Sequence, residues 1–281
     1  MPPIACGKER NRLRNIIILL VVVALFGLTV IAGARTEKVA VLFEYGYAWL
    51  AAGQYSMALR WFDELTKIEP ADPEAHLVKG TIYQILGDEE QALNSWAEAE
   101  RLGSWEAVCL AGDLLYKQGK LELAAAAYQK VLEQNAGTAK ALYGLGLVAE
   151  KKGDNAEALG YYQQAVDIAE GNPDYEMPQA FYRLGMLHYR TGDHEQALEA
   201  LQRAALLSSL DPYIMLALGE VYEASGAIPE ALHAYEYALH LQPGLAPAAE
   251  GVARMKKAAG TAGSQGDNRT GQADGGSSRA E

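Results

Sequence analysis

Six times along the chain a Gly is followed five residues later by an Ala. The pairs are Gly53/Ala58, Gly87/Ala92, Gly119/Ala124, Gly153/Ala158, Gly192/Ala197 and Gly226/Ala231, and the glycines step by 34, 32, 34, 39 and 34 residues. A period near 34 with small residues at fixed offsets is the mark of a helix-turn-helix unit that stacks on copies of itself. One such unit cannot bury its apolar face alone, so the copies must pack in series. A stack of this kind is first of all a surface for binding.

The positions around each pair repeat as well. A second Gly precedes the turn Gly by seven residues, at Gly46, Gly80, Gly112, Gly146, Gly185 and Gly219. Four residues past each Ala stands Phe62, Trp96, Tyr128, Tyr162, Leu201 or Tyr235. Small residues at the early Gly and the Ala let two helices approach closely, bulky residues fill the space beside them, and the turn Gly accepts a left-handed backbone. Pro70 and Pro243 close their repeats. Over residues 39 to 245 this pattern resembles the tetratricopeptide repeat (TPR) family. The resemblance implies an all-α fold, a right-handed superhelix of about six repeats. Leu245 to about Lys257 reads as a helix capping the last apolar face.

Two repeats depart from the period. The second is short by two residues around Gly103-Ser104. The fourth is long by five, at Glu170-Gly171-Asn172-Pro173-Asp174, which predicts a loop and either a bend of the superhelix or a division into blocks of four and two repeats.

In the family the concave face is lined mainly by the first helix of each repeat. Carried over by position, the resemblance assigns a partner-binding groove to Phe43, Tyr47, Leu77, Thr81, Tyr116, Tyr143, Leu147, Tyr182, Arg183, Met186, Tyr189 and Tyr213. Family members that grip a C-terminal carboxylate use Lys, Asn and Arg at such sites. Here those sites hold Phe43, Tyr47, Val78, Glu106 and Leu110, which argues against a carboxylate clamp. An apolar, Tyr-rich groove suits an extended or helical protein segment.

Residues Ile16 to Ala34 are apolar and uncharged. Nineteen residues in helix span about 28 Å, close to the hydrocarbon thickness of a bilayer. Lys8, Arg10, Arg12 and Arg14 precede the stretch, which predicts a cytoplasmic basic N-terminus (1–15), a transmembrane signal anchor (16–34) and repeats on the far side. The alternative is a secreted, soluble module, because Ala32-Gly33-Ala34 fits a signal-peptidase site. The organisation expected is a repeat domain with its capping helix over 39–258 and a disordered Gly/Ser-rich tail over 259–281.

Beyond residue 38 the chain carries 18 basic and 34 acidic residues, a formal −16. Such a surface is a poor match for nucleic-acid phosphates. No HExxH, CxxC or GxxxxGK[ST] occurs, so neither a metal, a cofactor, a small-molecule substrate nor an enzyme activity is expected. Cys109 falls at an apolar helix position and reads as a small packed hydrophobe. The layout is similar to that of bacterial membrane-anchored TPR proteins that assist translocation, envelope assembly or pilus biogenesis. It implies a chaperone-like scaffold for protein partners.

Overall fold

The computed structural model describes residues 35–135, 137–171 and 177–270, with side chains to residue 260. The expected membrane span at 16–34 lies outside these residues. Among the described residues no helix is long and apolar enough to cross a membrane. The chain divides into two compact units, one ending at Leu114 and the other starting at Leu115.

Unit 1 begins with a helix over residues 35–51 (α1), followed by α2 (Tyr55–Ile68), α3 (Pro73–Leu86), α4 (Glu89–Arg101) and most of α5 (Trp105–Lys117). Unit 2 continues with α6 (Leu121–Gln134), α7 (Ala139–Lys152), α8 (Asn155–Glu170), α9 (Pro178–Thr191), α10 (His194–Leu207), α11 (Pro212–Ala224), α12 (Ile228–Leu241) and α13 (Ala246–Thr270). Each repeat is therefore a pair of helices, as the Gly/Ala period predicts.

The punctuation is local chemistry. Gly87, Gly153 and Gly192 each end a helix at φ between +82° and +87°, where a side chain would be strained. In each case an Asp follows directly and caps the next helix. The carboxylates of Asp88, Asp154 and Asp193 accept the backbone N–H of Gln91, Glu157 and Gln196. One Gly-Asp dipeptide thus stops one helix and starts another.

The packing between paired helices follows the predicted small-to-large match. All six repeat alanines are fully buried, as are Phe62, Trp96, Tyr128, Tyr162, Leu201 and Tyr235. Gly80 and Gly146 sit directly over these rings: a Cβ would come within 2.4 Å of Trp96 or Tyr162. The polar ends of the buried aromatics are satisfied, as burial requires. The Trp96 indole N–H donates to the Leu77 carbonyl at 3.2 Å, and the Tyr162 and Tyr235 hydroxyls donate to Glu150 and Glu223.

Two expectations are corrected. The long fourth repeat does not divide the fold into four repeats and two. Ala158, Tyr162 and Val166 of α8 share one apolar core with Ala180, Phe181 and Leu184 of α9 and Ile214 of α11, so burial runs continuously past the insertion. The division falls inside α5 instead. The capping helix also outruns its expected end near residue 258, because α13 continues to Thr270. Extending an anchored helix needs no new nucleus, even though Gly260, Gly263 and Gly266 lower its propensity. The part of the predicted tail beyond residue 270 lies outside the described residues.

Gly144 and Gly251 reveal a second close approach that the period did not flag. A Cβ on Gly144 would meet Tyr128 of the preceding repeat at 2.4 Å, and one on Gly251 would meet Tyr235 at 2.6 Å. The start of α13 therefore stands against the sixth repeat as the first helix of a seventh would.

Candidate protein-binding grooves

The first helices of successive repeats present the twelve expected groove residues, and the structure separates them into two groups. In unit 1, Tyr47 of α1 lines a groove with Leu77 and Thr81 of α3, and Phe43 of α1 stands behind it. The rings of Phe43 and Tyr47 stack at 6.2 Å, and both meet the buried Phe62 ring edge-on. Phe43 is spent largely on that core. Tyr47, Leu77 and Thr81 line an open groove of about 550 Å³ together with Leu50, Val78 and Leu110. Tyr47 donates to Glu74 at 2.7 Å. Burial, that hydrogen bond and the charge of nearby carboxylates push its hydroxyl well above the usual tyrosine range.

In unit 2, Tyr143 of α7, Tyr182 and Arg183 of α9 and Tyr213 of α11 surround a cavity of about 290 Å³. Pro178 and Asp211 also line it. Tyr213 is exposed, whereas Tyr143 and Tyr182 are half-buried against the apolar core. Burial pushes the Tyr143 hydroxyl up, and the hydrogen-bonded Arg183 guanidinium pulls it back. Leu147, Met186 and Tyr189 do not line this cavity. They pack on the cores between helices, with Tyr189 also against the His194 ring at 5.9 Å. Tyr116 is half-buried and lines neither groove.

Only Tyr47 and Tyr213 of the twelve are exposed. Of the other ten, Leu77, Thr81, Tyr143, Tyr182 and Arg183 line a groove while half-buried, and Phe43, Tyr116, Leu147, Met186 and Tyr189 line neither. The repeat spacing places a residue on the first helix but does not decide whether it lines a groove.

Below the unit 2 cavity Glu150 acts as a hub. Its Oε2 accepts from the buried Tyr162 hydroxyl at 2.8 Å, and its Oε1 accepts from Arg190 at 2.6 Å. Arg183 stands 3.7 Å from it. Glu223 repeats the device, accepting Tyr235 at 2.6 Å and both Nε and Nη2 of Arg254 at 2.8 Å. A glutamate on the first helix thus ties the ring of its own repeat to an arginine of the next element. Through Arg183, the first of these links reaches the cavity lining.

Sequence reasoning passed over Trp105, exposed at the start of α5, which lines the unit 1 groove with Glu74 and Glu106. Its signal was the shortened turn before it, where Gly103 adopts φ +97° and lets α5 begin at once. Cys109 is fully buried, as expected of a packed thiol. Among the described residues no group of three or more His, Cys, Asp or Glu side chains is arranged to hold a metal ion.

Paired helices, left-handed turn glycines and grooves formed by first helices define a helical-repeat scaffold for protein interaction. The tetratricopeptide repeat model matches residues 109–173 and 182–246. The chain is 26% identical over 136 residues to the TPR repeat-containing protein YpiA of Bacillus subtilis. That match covers 48% of this chain and about a third (32%) of the relative's length. Among solved structures, pilF of Pseudomonas aeruginosa superposes with a TM-score of 0.67 at 17% identity, over 79% of this chain and 99% of that one. PilW, described as a type IV pilus biogenesis factor, gives 0.62 at 18% identity, over 75% and 97%. These structural likenesses show the fold.

Proposed function

We propose that this protein is a membrane-anchored TPR scaffold that holds extended or helical segments of partner proteins outside the cytoplasm, in envelope protein assembly or secretion. The observation that carries the reading is the unit 2 cavity, where three tyrosines and Arg183 converge on open space from three successive first helices. Tyrosine rings supply contact area at low entropic cost and hydroxyls that bond a peptide backbone. The anchor rests on the charge-free stretch 16–34 behind four basic residues. PilW, alike in fold, is described as a type IV pilus biogenesis factor, and the reading takes up that kind of role.

A photo-crosslinking side chain at Tyr213 tests the groove, with the same group at Gln164, exposed on α8, as control. In the native host, Tyr213 should give a discrete adduct with a protein partner and Gln164 should not. Equal labelling at both sites, or none at either, refutes the groove. Soluble release after cleavage at Ala34 is the alternative, favoured by Ala32-Gly33-Ala34. Intact mass of the native protein decides between them: loss of the first 34 residues would refute the anchor.

A further inference from the structure

The unit 1 groove differs in chemistry from the unit 2 cavity. Its lining includes the aliphatic Leu50, Leu77 and Leu110 from three helices. Its edge carries the carboxylates of Glu74 and Glu106, both exposed, and among the described residues its lining holds no Lys, Arg or His. Asp72, Glu74 and Glu106 all lie close enough to Tyr47 to oppose its ionisation, so the negative charge is concentrated at this edge. Two aromatic rings stand beside it, Tyr47 at 38% and Trp105 at 39% exposure, accessible enough to receive a partner.

We propose that this groove binds a short partner segment in which a Lys or Arg stands beside apolar side chains. The apolar side chains lie on Leu50, Leu77 and Leu110, and the cation meets Glu74 and Glu106 next to the exposed rings. The proposal rests on the reading of these helices as partner-binding, and names the chemistry of one partner segment. Charge complementarity is the argument. An acidic segment would be repelled, and a wholly apolar one would desolvate two carboxylates without replacing their water. A cation recovers that loss through ion pairing and through attraction to the ring faces. The formal −16 of the chain beyond residue 38 draws the same ligand toward the groove.

The test uses the full chain in nanodiscs of zwitterionic lipid and a labelled synthetic peptide that alternates Leu with Lys and Arg. Two matched peptides carry norleucine and citrulline, or Glu, in place of the basic residues. Anisotropy should show binding of the basic peptide, weakening as salt rises, and at least tenfold weaker binding of the other two. Glu74→Gln, Glu106→Gln and Trp105→Ala change exposed side chains, and each should weaken the basic peptide about two- to fivefold. Equal affinity for the Glu peptide, or unchanged affinity in all three variants, overturns the proposal. If the Tyr213 crosslink still forms in that case, the partner-binding reading stands and only the basic-segment chemistry fails. Loss of the crosslink as well would remove both.

Discussion

Replacing Gly146 by Ala puts a methyl carbon where the Tyr162 ring already stands. The added Cβ would lie 2.4 Å from Cε1 and 2.6 Å from Cδ1 of that ring. Carbon atoms rest comfortably at about 3.5–4.0 Å, so the ring would have to retreat by about 1 Å. It has no room, because the side chain is fully buried and its hydroxyl is held by Glu150 at 2.8 Å. Overpacking of this kind costs about 1–3 kcal/mol, and a rigid ring tied at its far end belongs at the top of that range. Alanine in a helix interior gains about 1 kcal/mol over glycine. The expected net loss is therefore about 2 kcal/mol. Gly160→Ala is the internal control, mid-α8 with nothing within 4 Å of its Cβ. Only propensity acts there, and the protein should gain about 0.5–1 kcal/mol. Thermal and urea unfolding of the full chain, followed by helical circular dichroism, reads both. The loss corresponds to roughly 4–8 °C in Tm. In a double-mutant cycle with Tyr162→Ala, the penalty at Gly146 should vanish. A Gly146→Ala protein as stable as the wild type would refute the close-approach argument.

Two pH effects follow from opposite causes. Burial first, and then hydrogen bonds to Glu74, Glu150 and Glu223, hold the hydroxyls of Tyr47, Tyr162 and Tyr235 above the usual 10.0. A folded pKa raised above the unfolded one gives stability that is whole below the ordinary tyrosine pKa and is lost as pH rises past it. Tyrosinate absorbance should thus show these three titrating only with alkaline unfolding; ordinary titration of all sixteen tyrosines in folded protein would contradict it. On the acid side, the Arg254 hydrogen bond lowers the Glu223 pKa, whereas burial raises that of Glu220. Glu223 contributes stability above the ordinary glutamate pKa of 4.5 that is lost as pH falls through its lowered value. Ionised Glu220 costs stability, which acidification through its raised pKa returns. Glu223→Gln should therefore lower Tm at neutral pH and Glu220→Gln should raise it; the same sign for both would break the assignment.

The repeat was legible because its causes are local. A Gly that must take φ near +85°, an Asp that caps the next turn, and an Ala facing a large ring are set within a few residues of one another. Gly153, Asp154, Ala158 and Tyr162 could be placed by counting alone. The groove residues were only half legible. Met186 and Tyr189 occupy the same helix as Tyr182 and pack on the same core with Val221 and Leu201, yet only Tyr182 also lines a groove. Trp105 stands one residue before the first groove position of its repeat and still reaches a groove.

By itself the sequence determined the helix pairs, their turns, the buried small-and-large contacts and the acidic charge balance. Each depends on residue type at a fixed spacing. The tertiary structure decided which edge of each first helix meets open space, that the core runs past the long fourth repeat, and that the division falls between Leu114 and Leu115. It also brought Glu74, Glu106 and Trp105 to one acidic, aromatic edge. Those outcomes depend on how neighbouring helices lean on one another. That geometry is the sum of many side-chain volumes across repeats, and no periodic position encodes it.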